Sequence, residues 1–465
     1  MIFKQFYLES LGHASYLVGD EATGEALVLD PRRDVDVYFE EARRQGLRVT
    51  MAVDSHGHND YLSGLAELAG RQPVSLLGLE GGHLGYQHRA LRDGEVFEMG
   101  DVGFKVLHTP GHTPEHLSLV VYDRAAGAEP AMLLSGGSLL VGDLARPDLL
   151  GGPGAAREAA RVFCHTIQEK LLTLPDHVEV FPTHVKGSLC GGNIGSRLST
   201  TIGYERLTNA VLSRVTGVDG FVQECLRLDN LPAVPPYWRR MRAQNLAGVD
   251  LLGVLPEPLA LQPQEFARRA ADGAMVLDTR QPEAFAGGHI PGSLNVGVGP
   301  SFPTWAGTVL PADARVIVVL DRPEDLWEVT WQLLRIGYGA PLGWLAGGMM
   351  AWRTSAMDID LMPTITARRL RQRLEQETLQ VLDVRQPAEW AAGHIAGAMF
   401  ITGAELPSRL GDLPLAETAV VCGSGFRSSV ASSLLRRSGR HVINVSGGMT
   451  AWQNAGYPME KENEA

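Results

Sequence analysis

Apolar runs and periodic stretches alternate along the first half of the chain. Ala26-Leu27-Val28-Leu29-Asp30 predicts a strand closed by a turn at Pro31. Val37 to Gly46 carries a helical pattern ending in glycine, and Leu47 to Val53 predicts a second strand that runs straight into a His-rich loop. This mixed pattern holds to about residue 228, and a Pro-rich stretch follows, with Pro232, Pro235, Pro236, Pro256, Pro258 and Pro263. It predicts a linker over 229–260 with a short helix near Arg239 to Leu246.

Beyond the linker the chain repeats itself. Val276-Leu277-Asp278-Thr279-Arg280-Gln281-Pro282 returns as Val381-Leu382-Asp383-Val384-Arg385-Gln386-Pro387, and Gly288-His289-Ile290 as Gly393-His394-Ile395, both 105 residues on. Gly347-Gly348-Met349 with Trp352 returns 100 residues on as Gly447-Gly448-Met449 with Trp452. The first copy therefore carries extra residues, expected around Gly299 to Gly307. Each copy alternates Val/Ile-rich strands with helices, the pattern of a small parallel α/β domain. The expected domains are 1–228, 261–358 and 364–460.

Length and composition agree with this division. The chain has 465 residues, 45% apolar and 20% charged, enough for about three domains. A net charge of -12 argues against a broad basic surface for nucleic acid, since such binding neutralises phosphates. No apolar run approaches a membrane span. The start, Met1 to Glu9, lacks the apolar core of a secretory leader. Cys164, Cys190, Cys225 and Cys422 show no paired spacing, so we expect no disulfide framework and a cytoplasmic location.

Four segments carry candidate chemistry: Ser55-His56-Gly57-His58-Asn59-Asp60-Tyr61, Thr109-Pro110-Gly111-His112-Thr113, Val141-Gly142-Asp143-Leu144 and Phe181-Pro182-Thr183-His184. Each His or Asp follows an apolar run and is flanked by Gly or Pro. That places imidazoles and carboxylates on loops at strand ends, where several can converge on one ion. The order of the four segments resembles the metallo-β-lactamase superfamily, over roughly residues 1 to 228. The resemblance implies an αββα sandwich. The superfamily's first motif, His-x-His-x-Asp-His, ends here in Tyr61, a position where the dinuclear zinc hydrolases hold their second metal. Its absence points away from glyoxalase II-like thioester hydrolases and toward the persulfide dioxygenases. That resemblance implies one Fe(II) per chain, held by His56, His112 and Asp143, with open positions for substrate sulfur and dioxygen. His58, Asp60, Tyr61 and His184 would then surround and orient the ligands, while His108 and His116 are read as structural.

Gly187-Ser188-Leu189-Cys190-Gly191-Gly192, with Thr200 to Glu205, resembles a loop of bacterial dioxygenases fused to rhodanese modules. Cys190 is a candidate for the metal pocket, and Arg146 and Arg197 for holding a carboxylate of the thiol carrier.

In the second repeat Cys422-Gly423-Ser424-Gly425-Phe426-Arg427 follows the apolar Ala419-Val420-Val421 and precedes a helical pattern through Ala431 and Leu434. Backbone N–H groups of such a loop, a helix N-terminus and Arg427 together favour a thiolate and its persulfide. Four residues separate Cys422 from Arg427, a loop suited to a small sulfur. The repeats resemble rhodanese domains, parallel α/β sulfurtransferases. Catalysis would rest on Cys422 and Arg427, with substrate contacts from Gly423, Ser424, Gly425 and Phe426. At an offset of 101 residues, between the two spacings of the repeat, Asp321 stands for Cys422 in the first copy, beside Pro323 and further acids, so that copy is expected to be inactive.

The expected whole is a fused enzyme. It would convert a low-molecular-weight persulfide such as glutathione persulfide, with O2, to sulfite and thiol, and pass sulfane sulfur through Cys422 to give thiosulfate. No nucleic-acid or membrane partner is expected, and a homo-oligomer is. The alternatives are a glyoxalase II-like hydrolase and a non-catalytic sulfur carrier or sensor with a structural metal.

Overall fold

The structure is a computed structural model, and it describes residues 1–215, 217–227, 231–376 and 379–461. The chain divides into two compact units. One comprises Met1–Leu231 with Trp238–Gly253, the other Pro232–Tyr237 with Val254–Ala465.

In the first unit the described strands form two six-stranded sheets. Ile2–Leu8, His13–Asp20, Glu25–Leu29, Arg48–Val53, Ser75–Leu79 and Arg89–Leu91 lie in sequence order in one. Thr200–Thr201, Glu179–Pro182, Met132–Gly136, Leu117–Asp123, Val102–His108 and Val96–Met99 build the other. Period-two alternation explains why two layers of helix can cover them. Tyr16, Val18, Leu27 and Leu29 face the inter-sheet core with Phe104, Leu119, Leu134 and Phe181. Their neighbours Leu17, Ala26 and Val28 face outward, against Tyr38 and Ala42 of the helix Asp36–Arg44. Val120, Leu133 and Val180 likewise meet Phe163 and Ile167 beyond the second sheet. The result is the αββα sandwich of the metallo-β-lactamase fold.

The segment expected as linker is divided between the units. Its helix, observed at Trp238–Ala247, belongs to the first unit and docks on the His-rich loop. Asn245 Nδ2 donates to the carbonyls of His58 and Tyr61, both at 2.8 Å, and its Oδ1 accepts from Ser63 N–H at 2.9 Å.

The second unit holds two five-stranded sheets in which every pairing is parallel. The order is the same in both. Leu259–Leu261, Gly343–Leu345, Val316–Val319, Met275–Asp278, Leu294–Asn295 answers to Thr364–Thr366, Val442–Ser446, Thr418–Val421, Gln380–Asp383, Met399–Phe400. The first copy's extra residues include the helix Phe302–Val309, where the second has two short 3₁₀ turns. Sheet register corrects one alignment. Val319 pairs with Asp278 as Val421 pairs with Asp383, so the residue standing for Cys422 is the next one, Leu320, and not Asp321. Leu320 is buried and apolar, so the first copy still has no nucleophile there.

Candidate active centres

Loops at one end of the sandwich gather the histidines. Asp30 ends its strand in a left-handed conformation, φ 53°, and its buried carboxylate ties several loops together. It accepts from Ser55 N–H at 2.5 Å, Ser55 Oγ at 2.8 Å, His58 Nε2 at 3.0 Å and Thr183 Oγ1. Burial opposes its ionisation, but His58 and these donors hold it below the ordinary carboxylate range. Asp30 went unnoticed in the sequence, where it reads only as the polar end of a strand before Pro31.

Around this hub His56, His112 and His184 bring their ring nitrogens within 4.8 Å of one another, all three residues buried. Each ring is fixed by its other nitrogen. His56 Nδ1 meets Ser55 Oγ at 2.8 Å, His112 Nδ1 donates to the Arg146 carbonyl at 2.7 Å, and His184 Nδ1 lies 3.5 Å from Asp60. His56 Nε2 and His184 Nε2 stand 3.3 Å apart, and His112 Nε2 has no hydrogen-bond partner among the described residues. Burial, then the neighbouring His184, lowers the His112 pKa to about 3. Burial also holds His56 far below its usual value. At His184 burial acts the same way, but Cys190 and Asp60 reverse it and raise the ring well above its usual value. The rings of His56 and His112, held neutral by burial, and that of His184, once a cation displaces its proton, converge through Nε2 in an arrangement that fits a metal ion.

Asp143 is not in this cluster. Its Oδ1 accepts from its neighbour Leu144 N–H at 2.9 Å and its Oδ2 from Asn193 N–H at 2.7 Å, so it fastens the 188–193 loop. Burial raises its pKa. His184, expected as an orienting group, takes the place expected for Asp143. The backbone facing the three rings is Gly137: a methyl there would lie 2.8 Å from His112 Cδ2, 2.9 Å from His56 Cε1 and 3.2 Å from His184 Cδ2. Sequence reading could not see this, because a glycine carries no chemical signature.

The remaining expected residues fall around the cluster. His58 holds Asp30, and Tyr61 OH meets His13 Nε2 at 2.8 Å and donates to the Asp30 carbonyl at 3.2 Å. Cys190 is buried and lies with Asp60 and His184 in a second potential ligand group. His116 Nε2 accepts from Gly137 N–H at 2.8 Å, a structural bond. Arg146 is committed to Asp148 through two 2.7 Å bonds, and Arg197 is an exposed residue stacked over the Tyr204 ring. Neither is placed as a carboxylate receptor. All four cysteines are free and buried.

In the second unit Cys422 ends the strand Thr418–Val421 and its sulfur is fully buried. Gly425 N–H points at Sγ from 3.1 Å, and Ser428 Oγ lies 3.4 Å away. Gly425 precedes the helix Phe426–Arg437 at φ 113°, a conformation open to glycine. The loop is held from behind by Gly447-Gly448-Met449: Met449 N–H donates to the Cys422 carbonyl at 2.7 Å and Thr450 N–H to the Gly423 carbonyl at 2.9 Å. Arg427 forms a bidentate pair with Glu389, which the sequence reading did not single out. Ser424 is exposed. Phe426 turns toward the first repeat, where a methyl on Gly297 would touch its ring at 3.2 Å.

Comparison with known proteins agrees with both halves. Residues 9–124 match the metallo-β-lactamase superfamily, and 262–355 and 366–455 each match the rhodanese-like domain. The mitochondrial persulfide dioxygenase of Bos taurus is 28% identical over 191 residues, 40% of this chain and 68% of that protein. The chain spans 63% to 68% of the length of the three mammalian persulfide dioxygenases it matches. A hydroxyacylglutathione hydrolase of a Polaromonas species is 31% identical over 175 residues, 37% of this chain and 61% of that one. Among solved structures, a metallo-β-lactamase from Staphylococcus aureus is similar with TM-score 0.65 and 31% identity, over 74% of this chain and 98% of its own.

Proposed function

Because the chain belongs to the metallo-β-lactamase superfamily, in the form that carries two rhodanese-like domains after that fold, we propose that it oxidises a low-molecular-weight persulfide with O2 and transfers sulfane sulfur through Cys422. Its persulfide dioxygenase relatives and rhodanese domains mark an enzyme of sulfur metabolism. The observation that carries the oxidative half is the convergence of three imidazoles with the unpartnered Nε2 of His112. His56, His112 and His184 would hold one Fe(II), in place of the set with Asp143. Iron bound there would supply a redox centre for dioxygen, with positions left open beside three protein ligands. The chain's own part is positional. Ser55, the Arg146 carbonyl and Asp60 fix which nitrogen of each ring faces inward.

Sulfur transfer needs no external oxidant. The Cys422 thiolate attacks the outer sulfur of a persulfide, the S–S bond breaks, and the carrier leaves as thiolate. Sulfite then attacks the Cys422 persulfide, and thiosulfate departs as the thiolate is regenerated. The Gly425 N–H, 3.1 Å from Sγ, stabilises the Cys422 thiolate that attacks and is regenerated.

A second reading follows from Gly137. Three imidazoles with no carboxylate form a neutral set that also suits zinc, which would make the metal structural or hydrolytic and leave sulfur transfer as the chain's activity. Metal analysis of protein produced with iron and zinc both available, combined with oxygen uptake on glutathione persulfide, separates the two. The expected result is one iron per chain and persulfide-dependent oxygen consumption. Bound zinc without oxygen uptake overturns the oxidative half.

A further inference from the structure

A carboxylate stands at the mouth of the Cys422 loop. The two oxygens of Glu389 take Nη1 and Nη2 of Arg427, each at 2.6 Å. Glu389 is itself fixed, because Oε2 also accepts the Gln386 N–H at 3.0 Å in the capping box of the helix Pro387–Ala391. The pair borders the loop closely: a methyl on Gly423 would lie 2.9 Å from Arg427 Nη2 and 3.8 Å from Glu389 Oε1. Both side chains stay partly exposed, 23% for Arg427 and 37% for Glu389, so something entering the loop meets them. The first repeat, which has Leu320 for Cys422, has Ala284 for Glu389 at the 105-residue spacing. Carboxylate and nucleophile are present together in one repeat and missing together from the other.

A guanidinium paired by both forks has its charge neutralised and two N–H groups committed. An oxyanion that needs Arg427 must share it with Glu389. A simple thiol carries no oxyanion, and the negative charge of its attacking sulfur is consumed in the new S–S bond.

We propose that Glu389 is a specificity-determining residue that sets how the Cys422 persulfide divides its sulfur between sulfite and simple thiols. The inference rests on the sulfur-transfer reading above. With sulfite, the sulfite sulfur attacks the outer sulfur, the S–S pair leaves on Cys422, and thiosulfate forms. With a thiol, the proton is lost to solvent, its sulfur attacks, and a new persulfide leaves. Glu389 touches neither acceptor's attacking atom and acts through Arg427.

The test uses the full chain, glutathione persulfide as sulfur donor under anaerobic conditions, and sulfite or 2-mercaptoethanol as acceptor. Mass spectrometry first checks that Cys422 gains one sulfur in the parent and in Glu389→Gln, a variant that keeps the shape and one hydrogen bond. In Glu389→Gln, KM for sulfite should fall roughly three- to ten-fold at low ionic strength, and the effect should shrink as salt screens it. KM for 2-mercaptoethanol and both kcat values should stay within about two-fold. Glu389→Asp, which restores the charge, should return KM for sulfite toward the parental value. Equal changes for both acceptors, or none for either, overturn the proposal and leave sulfur transfer standing. A parent whose Cys422 takes up no sulfur overturns both together.

Discussion

Single side chains decide most of the chemistry. Replacing His184 by Ala should release the metal, while Asp143→Ala should retain it and loosen the 188–193 loop that Asp143 fastens. Elemental analysis of the two purified variants checks this, and the reverse pattern would restore Asp143 as a ligand. Cys422→Ser should abolish thiosulfate formation and leave oxygen uptake intact, because a hydroxyl is far too weakly acidic to carry sulfane sulfur. Sulfite and thiosulfate quantified together give the answer, and unchanged thiosulfate would move the transfer to another cysteine, Cys190 first. Asp30 carries a pH dependence. Its folded pKa lies below the ordinary value near 4, so its stabilisation is complete above about pH 4 and is lost as pH falls further. Acid unfolding of the parent should therefore be steeper below about pH 4 than that of Asp30→Asn, which starts less stable by about 3–5 kcal/mol.

At the level of elements, the sequence disclosed what periodicity and glycine spacing can disclose. The strand at residue 26 is Glu25–Leu29, the helix after it is Asp36–Arg44, and the strand entering the His-rich loop is Arg48–Val53. Each sits within two residues of its expected place, because alternation and a closing glycine are local signals. The repeat was legible in the same way, but its loops were not. Three extra residues fall before the strand Val316–Val319 and two after it, so an offset of 101 residues pointed to Asp321 where sheet register, an offset of 102, gives Leu320. The expected set of His56, His112 and Asp143 parts from the observed cluster for a related reason. Motif order suggested that Asp143 joins the histidines, whereas the chain after Gly136 turns Gly137 to the rings and leaves Asp143 bonded to the 188–193 loop. The Gly447-Gly448-Met449 turn, visible only as a repeated motif, proves to be the support of the Cys422 loop. Gly448 has φ 49° and a methyl there would lie 2.2 Å from the Cys422 carbonyl oxygen. Gly448→Ala should thus lower stability by about 1–3 kcal/mol and cut sulfur transfer. Thermal melting and a thiosulfate assay report the two effects. An unshifted melt with full activity would mean the turn tolerates the added carbon.

On the scale of the whole molecule the two units are not consecutive in sequence. The chain leaves the first unit at Leu231, gives Pro232–Tyr237 to the second, returns with Trp238–Gly253, and only then stays in the second. A fragment 1–253 should therefore hold metal and resist protease, while 1–231 lacks Asn245 and leaves three buried backbone groups of the His-rich loop unsatisfied. Metal content and proteolysis of the two fragments test this, and equal behaviour would show that the helix is dispensable. The same interleaving bears on inheritance. A genetic crossover anywhere in the Pro-rich stretch yields a recombinant in which one unit receives a foreign segment. A join at Leu231 thus deprives the first unit of its Trp238–Gly253 segment, and a join at Gly253 leaves the second unit with a Pro232–Tyr237 segment it did not evolve beside.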